Sequence, residues 1–435
     1  MTIEWITAEK VYVGRRFTTG RWLGIEDGRI RAVEATPPPP GARVIDLGHA
    51  AIFPGTVNTH THAWHALLRG LGDDRPLLEW LRHVYGHGAR FTPEHAHLGA
   101  MLAFAEMARN GVTTVVDFFY LNGQGSEYAL ETIRAAEAVG IRLVLARTFM
   151  DWADAPATIK EDVPTARARY AELSKEYRAH PTVRLCPAAH SLYGASVQML
   201  EAARGTALDE GKLWHVHMAD ARGAEEMIRA RYQRSTVRRM AELNLLGPEL
   251  VAVHAIHVDE AEVARLAEAG VKVSHNPSAN MFLGEPAAPV LAMRRAGICV
   301  GLGTDSALDH NTLSIFHEMK TAALIHKSAA GDPRALTADG AIEMATVNGA
   351  TITEWPVGRL APGHCADFVV LDLDDPALLP DDRLESHLAY SLADRAIREV
   401  WVAGRPIVRD RRLTGLDTEA FTRRVREASR PFFRA

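Results

Sequence analysis

The stretch Phe53-Pro54-Gly55-Thr56-Val57-Asn58-Thr59-His60-Thr61-His62 decides how the rest of the chain reads. An extended segment sends alternate side chains to opposite faces. Val57, Thr59 and Thr61 therefore share one face, and Asn58, His60 and His62 share the other. Both imidazoles can then address a single ion. Phe53-Pro54-Gly55 just upstream predicts a turn delivering the chain into this strand. His-x-His alone is a weak signal. It gains weight from the histidines and the aspartate that end later apolar runs.

From about residue 55 to 350 short apolar runs alternate with helical patterns. The runs are Gly55–His62, Thr113–Phe118, Arg142–Arg147, Val183–Ala188, Leu213–His217, Leu250–His254, Val271–His275 and Cys299–Thr304. Helical periodicity is clear at His95–Asn110, Ala129–Val139, Asp259–Ala269 and Ser314–Ser328, with Gly111, Gly140, Gly270 and Gly297 placed as C-caps. Eight strands separated by helices predict an α/β fold, a (β/α)8 TIM barrel. Asp151–Pro164 reads as a loop over the barrel mouth. Short strands precede the barrel at Trp5–Thr7, Val11–Val13, Trp22–Ile25, Ile30–Val33 and Val44–Leu47, and Asp27-Gly28 marks a hairpin. Strands return at Gly358–Leu360, Asp367–Asp372, Ile397–Val402 and Arg405–Val408, followed by a helix at Thr418–Ser429. The expected organisation is residues 1–54 and 358–435 pairing into one small β-sandwich beside a barrel of residues 55–357.

The 435 residues are 47% hydrophobic and 24% charged, enough to bury a sizeable core. The net charge of −5, without a basic run, predicts no nucleic-acid partner and no polybasic membrane contact. No apolar run reaches membrane-spanning length, and Met1–Lys10 has no signal-peptide pattern. Cys186, Cys299 and Cys365 form no C-x-x-C pair, which predicts a cytosolic protein without a cysteine metal site. An apolar barrel exterior predicts a homo-oligomer.

Catalytic residues of such barrels sit at the C-terminal ends of the strands. Read this way, strand 1 ends in His60 and His62, and strand 5 in His215-Val216-His217. Strand 6 ends in His254, strand 7 in His275 and strand 8 in Thr304-Asp305. Imidazole suits zinc or iron(II), and aspartate supplies a charged oxygen ligand. Three histidines and one aspartate leave room for a water, whose pKa a metal lowers from near 16 to about 7.

The series His60-Thr61-His62, His217, His254, His275-Asn276-Pro277-Ser278-Ala279-Asn280 and Gly301-Leu302-Gly303-Thr304-Asp305-Ser306 resembles the amidohydrolase superfamily. The likeness is greatest to its branch of S-adenosylhomocysteine/methylthioadenosine deaminases and s-triazine hydrolases. It extends through Leu68-Arg69-Gly70-Leu71, Leu78-Glu79-Trp80-Leu81, Gly111-Val112-Thr113-Thr114 and Leu360–Asp367. The resemblance implies that His60, His62, His217 and Asp305 bind the metal. It implies that His254 polarises the leaving group or orients the water, and that Asp305 also takes a proton. Binuclear relatives carry a bridging lysine on strand 4. Leu185-Cys186-Pro187-Ala188-Ala189-His190 has none, so one divalent ion is expected, zinc first and iron second.

The chain departs from this branch at one chemically important place. Its deaminases set a glutamate three residues after the strand-5 histidine as a proton shuttle, and here Asp220 stands there. Asp220 serves if the substrate sits closer, with Glu225 and Glu226 as substitutes, and its other reading is a helix N-cap. His190 resembles a substrate-contacting histidine, and Arg147 an arginine that grips substrate carboxylates. Trp64, His65, Phe119, Tyr120, Phe149 and Trp152 follow strand ends, where they either stack on a flat ring or pack. His275 is read as a contact to the water or the substrate. His310, His317 and His326 read as surface or core packing, and His83, His87, His95 and His97, at helical spacing, as residues without a chemical role. The leading function is hydrolytic deamination of an amino-substituted nitrogen heterocycle: a purine, nucleoside, pterin or triazine. The alternatives are displacement of chloride or an alkylamine from an s-triazine, cyclic amide hydrolysis, and a non-catalytic scaffold.

Overall fold

The computed structural model describes residues 3–433. Of the Met1–Lys10 start, Met1 and Thr2 lie outside the described residues. Eight parallel strands form the barrel sheet: Thr56–Thr61, Val112–Phe119, Arg142–Phe149, Val183–Ser191, Trp214–Met218, Leu250–His254, Lys272–His275 and Val300–Leu302. All eight lie where the sequence places them, each pairing with the next in order. Nearly every residue in them is buried, because helices cover the outside of the barrel and side chains fill its interior. Helix Pro93–Arg109 starts where Thr92 caps it with Pro93 at the first position. Helix Glu127–Val139 ends at Gly140, whose φ of 84° suits the left-handed cap.

Side chains stitch the first and eighth strands together. Asn58 Nδ2 donates to Thr304 Oγ1 at 2.8 Å, and the Thr304 N–H donates back to Asn58 Oδ1 at 3.1 Å. The Asp305 N–H donates to the His60 carbonyl at 3.0 Å, and Thr61 Oγ1 donates to the Asp305 carbonyl at 2.7 Å. The seam is thus fastened at the level of the histidines.

Two further sheets come from the chain ends. One has four strands, Glu4–Thr7, Trp22–Glu26, Arg29–Glu34 and Arg43–Asp46. The other has seven, joining Lys10–Val13, Arg16–Thr18 and Ala50–Pro54 to Phe368–Asp372, Ile397–Val402, Arg405–Arg409 and Arg412–Leu413. Ile6, Leu23 and Ile30 of the first sheet meet Val11, Ile52, Phe368, Val370 and Trp401 of the second in one buried apolar layer. The closing helix, Thr418–Phe433, returns to the barrel: Phe432 packs on Phe91 and His95, and Arg424 bonds Glu94.

Two sequence expectations change. Phe53 and Pro54 are not in a turn; they end a fully buried strand that pairs with Phe368–Asp372. The chain passes from that sheet into the barrel at Gly55, where a Cβ would come within 2.1 Å of the Thr113 side chain. Glycine is required by space rather than by a bend. Gly358–Leu360 is not a strand either. It belongs to an irregular segment whose Leu360 side chain plugs the sandwich core.

A buried ion pair fastens the barrel to the sandwich. Arg142, opening the third barrel strand, donates from Nε and Nη2 to Asp367 at 2.8 and 3.0 Å. Asp367 also accepts the Ala403 N–H at 2.7 Å, and its carbonyl accepts the Gly55 N–H at 3.1 Å. Removing one partner leaves the other charge buried and unpaired. Asp367→Ala is expected to lower the unfolding free energy by about 3–5 kcal/mol. Urea unfolding checks this, and a loss below about 1 kcal/mol would show that the junction holds without the pair.

Candidate active site

The ends of strands 1, 5, 6 and 8 deliver side chains into one buried cluster. His60 and His62 come from strand 1, His217 from strand 5, His254 from strand 6 and Asp305 from the loop after strand 8. The ligating atoms of His60, His62 and His217 lie within 4.8 Å of one another, as do those of His60, His254 and Asp305. Asp305 Oδ1 stands 3.5 Å from His60 Nε2 and 3.6 Å from His62 Nε2, and Oδ2 stands 3.5 Å from His254 Nε2. These separations are too long for hydrogen bonds. They match two donors each about 2.1 Å from a shared tetrahedral ion, which would stand roughly 3.4 Å apart. His254 at φ 73° and Asp305 at φ 57° occupy the left-handed region, a strained backbone of the kind that clusters at functional sites.

The outer nitrogens fix the rings. His62 Nδ1 donates to the Phe118 carbonyl at 2.7 Å, and His217 Nδ1 to the His190 carbonyl at 2.9 Å. His254 Nδ1 meets Asn280 Oδ1 at 2.9 Å. With Nδ1 as the donor to a carbonyl, Nε2 of His62 and of His217 faces the centre as a lone pair, the form a metal binds. Both nitrogens of His60 lack a hydrogen-bond partner although the residue is fully buried. A buried orphan imidazole beside two others and a carboxylate fits a divalent cation. Burial pushes His60, His62 and His217 below the usual histidine range. Burial alone would raise the Asp305 carboxyl, but His60, His254 and His62 hold it well below the usual range.

A narrow cleft opens on the cluster. His190 lines it, and its Nε2 meets the Tyr85 hydroxyl at 3.2 Å. Asp220 also lines it and accepts from the Tyr193 hydroxyl at 2.7 Å. Burial raises the Asp220 carboxyl above its ordinary range, with His254 and Tyr193 opposing. Asp220 is not a helix cap; the following helix, Arg222–Tyr232, starts after Ala221 without a side-chain cap. Glu225 does not substitute for it, because its carboxylate serves the Thr236 N–H. Glu226 is exposed.

The structure leaves three expected substrate contacts out of the cleft. Arg147 is fully buried, with its fork on Glu161 at 2.7 and 2.9 Å. Trp64 packs among His65, Phe91 and Tyr120. His275 Nε2 lies 3.1 Å from His326 Nε2, behind the cluster. Phe119 and Phe149 are core residues, while Tyr120 does line the cleft. Its hydroxyl bonds His65 Nε2 at 2.6 Å, and His65 Nδ1 reaches Ser306 Oγ at 2.8 Å.

Asp309 is a cleft residue the sequence reading missed. It is 2% exposed, and Oδ2 accepts the Ser306 N–H at 3.0 Å, while Oδ1 has no partner. Burial and then neighbouring Asp305 push its carboxyl well above the usual range. Its signal was position, four residues past Asp305 on a loop at the C-terminal face of the barrel. Leu77, Trp80, Leu81 and Leu283 supply an apolar wall.

Residues 51–407 match the amidohydrolase family. The 5-methylthioadenosine/S-adenosylhomocysteine deaminase of Syntrophobacter fumaroxidans is 34% identical over 424 residues, covering 96% of this chain and 94% of that protein. The 5'-deoxyadenosine deaminase of Methanothermobacter thermautotrophicus is 35% identical over 407 residues, 93% of each. A zinc-bound adenosine deaminase structure from Xanthomonas campestris superposes with a TM-score of 0.91 at 29% identity, covering 100% of this chain and 99% of that one. The zinc complex of atrazine chlorohydrolase from Arthrobacter aurescens gives 0.90 at 24% identity, over 98% of this chain and 100% of that one, a likeness of fold.

Metal analysis tests the cluster. The purified protein is expected to hold about one divalent ion per chain, and folded His217→Ala less than about 0.2. Undiminished metal in the variant would place the ion elsewhere.

Proposed function

The chain belongs to the amidohydrolase family, and from that premise we propose that it is a mononuclear, metal-dependent aminohydrolase of an amino-substituted nitrogen heterocycle, adenosine-like in type. The observation that carries this reading is the convergence of His60, His62, His217 and Asp305 beneath a cleft that also holds His254 and Asp220. Those four residues would hold the ion. Zinc is the expected metal, supported by the zinc-bound adenosine deaminase structure. When bound, the ion lowers the pKa of water to about 7 and so provides a nucleophile at neutral pH.

The protein's own groups then move protons and hold the ring. Asp305 accepts the proton of the attacking water. His254 Nε2, 3.5 Å from Asp305 Oδ2, faces the oxygen added to the ring carbon and stabilises its negative charge. Asp220 delivers a proton to the departing amine, as a carboxyl held above its ordinary range by burial can do. The ring C–N bond breaks and ammonia leaves with the proton from Asp220; the water oxygen stays on the ring as a carbonyl, its second proton ends on the adjacent ring nitrogen, and the proton held by Asp305 restores Asp220. Tyr193 orients Asp220 through its 2.7 Å bond, which makes up for the shorter side chain by fixing its direction. Tyr120 and Trp80 offer faces for a flat ring. The cysteines are unpaired, which supports a reducing, cytosolic setting. No helix among the described residues is long and apolar enough to cross a membrane.

Ammonia release is the test. The metal-loaded enzyme, offered amino-purines, adenosine-type nucleosides, pterins and amino-triazines, is expected to release ammonia from the nucleosides. Asp220→Asn is expected to keep its metal and lose roughly 10²–10⁴ in kcat. No ammonia from metal-loaded protein would overturn the deaminase reading in favour of chloride or alkylamine displacement or cyclic amide hydrolysis. Unchanged kcat in Asp220→Asn would remove Asp220 from the mechanism.

A further inference from the structure

The cleft's charge and polarity go beyond what deamination requires. No lysine or arginine is among the residues lining it. Its charged or acidic groups outside the metal cluster are Asp220 and Asp309. Both are at least nine-tenths buried, at 8% and 2% exposure. Asp309 Oδ1 is buried without a hydrogen-bond partner. Leu77, Trp80, Leu81 and Leu283 form the rest of the wall.

The buried arginine nearest in sequence to a strand end is withheld. Arg147 gives both fork nitrogens to Glu161, and Arg169 adds a second cation to the same carboxylate at 3.3 Å. Glu161 is in turn fixed by its N–H on the Met150 carbonyl at 2.9 Å. Freeing Arg147 would leave Glu161 with only a part-exposed partner. That arginine is structural, and it lies outside the cleft.

Resting on the deaminase reading, we infer that this cleft selects heterocycles whose substituent is uncharged and apolar, and discriminates against those bearing a carboxylate. A carboxylate drawn into the cleft loses its water and finds no cation, a cost that an uncharged thioether or methyl group avoids. Asp220 and Asp309 offer no positive charge in either protonation state. An ammonium group finds acceptors here, and a carboxylate does not. Apolar substituents gain contact with the leucine wall.

Two nucleosides that differ at one end provide the probe. The metal-loaded enzyme is expected to show kcat/KM for 5-methylthioadenosine at least roughly a hundredfold above that for S-adenosylhomocysteine. Leu77→Arg places a cation on the partly exposed end of the apolar wall. It is expected to shift that ratio about tenfold toward S-adenosylhomocysteine without changing metal content or melting temperature. Values for the two substrates within about threefold, or a ratio unmoved in folded, metal-loaded Leu77→Arg, overturn the selectivity and leave deamination standing. Ammonia from neither nucleoside overturns the deaminase reading as well.

Discussion

Four buried imidazoles around one buried carboxylate are the constraint on which the rest of this structure depends. Left to themselves, these groups would be costly: each has surrendered its water, and the Nε2 atoms face one another across the cluster. The protein holds them there by anchoring the opposite nitrogens. The Phe118 and His190 carbonyls and the Asn280 amide oxygen fix His62, His217 and His254. Two of the three anchors are main-chain atoms of neighbouring strands, so the barrel register itself sets ring orientation.

The surrounding fold follows from that demand for rigidity. The seam between strands 1 and 8 is closed by Asn58, Thr304 and Thr61 at the height of the histidines, where a loose barrel would separate His60 from Asp305. The Arg142–Asp367 pair then ties the third strand to the sandwich built from both chain ends. Because Asp367 also accepts from Ala403, and its carbonyl from Gly55, the start of strand 1 is held through the same junction. Where the chain turns inward, His254 and Asp305 are among the residues held in the left-handed region.

Most of this was legible in the sequence because the signals were local. Strands of a covered parallel sheet read as continuous apolar runs, and a ligand at a strand end needs no loop geometry to be found. His60, His62, His217, His254 and Asp305 could be picked out on that basis. The misreadings fall where long-range packing decides. Arg147 resembles a substrate clamp by position, and only the structure reveals Glu161 on its fork. Trp64 and His275 follow strand ends too, yet neighbouring side chains claim both. Asp309 sits in a loop without periodicity, where only its closeness to Asp305 signals that it faces the cleft. Phe53-Pro54 carries a turn signature, and pairing with a strand more than three hundred residues away overrides it.

Anomalous diffraction from crystals of the purified protein, collected at the metal edge, addresses the central claim most directly. The account predicts one peak per chain, about 2.0–2.2 Å from Nε2 of His60, His62 and His217 and from an Asp305 oxygen. Two peaks in the barrel, or a single peak outside this ligand set, would contradict it.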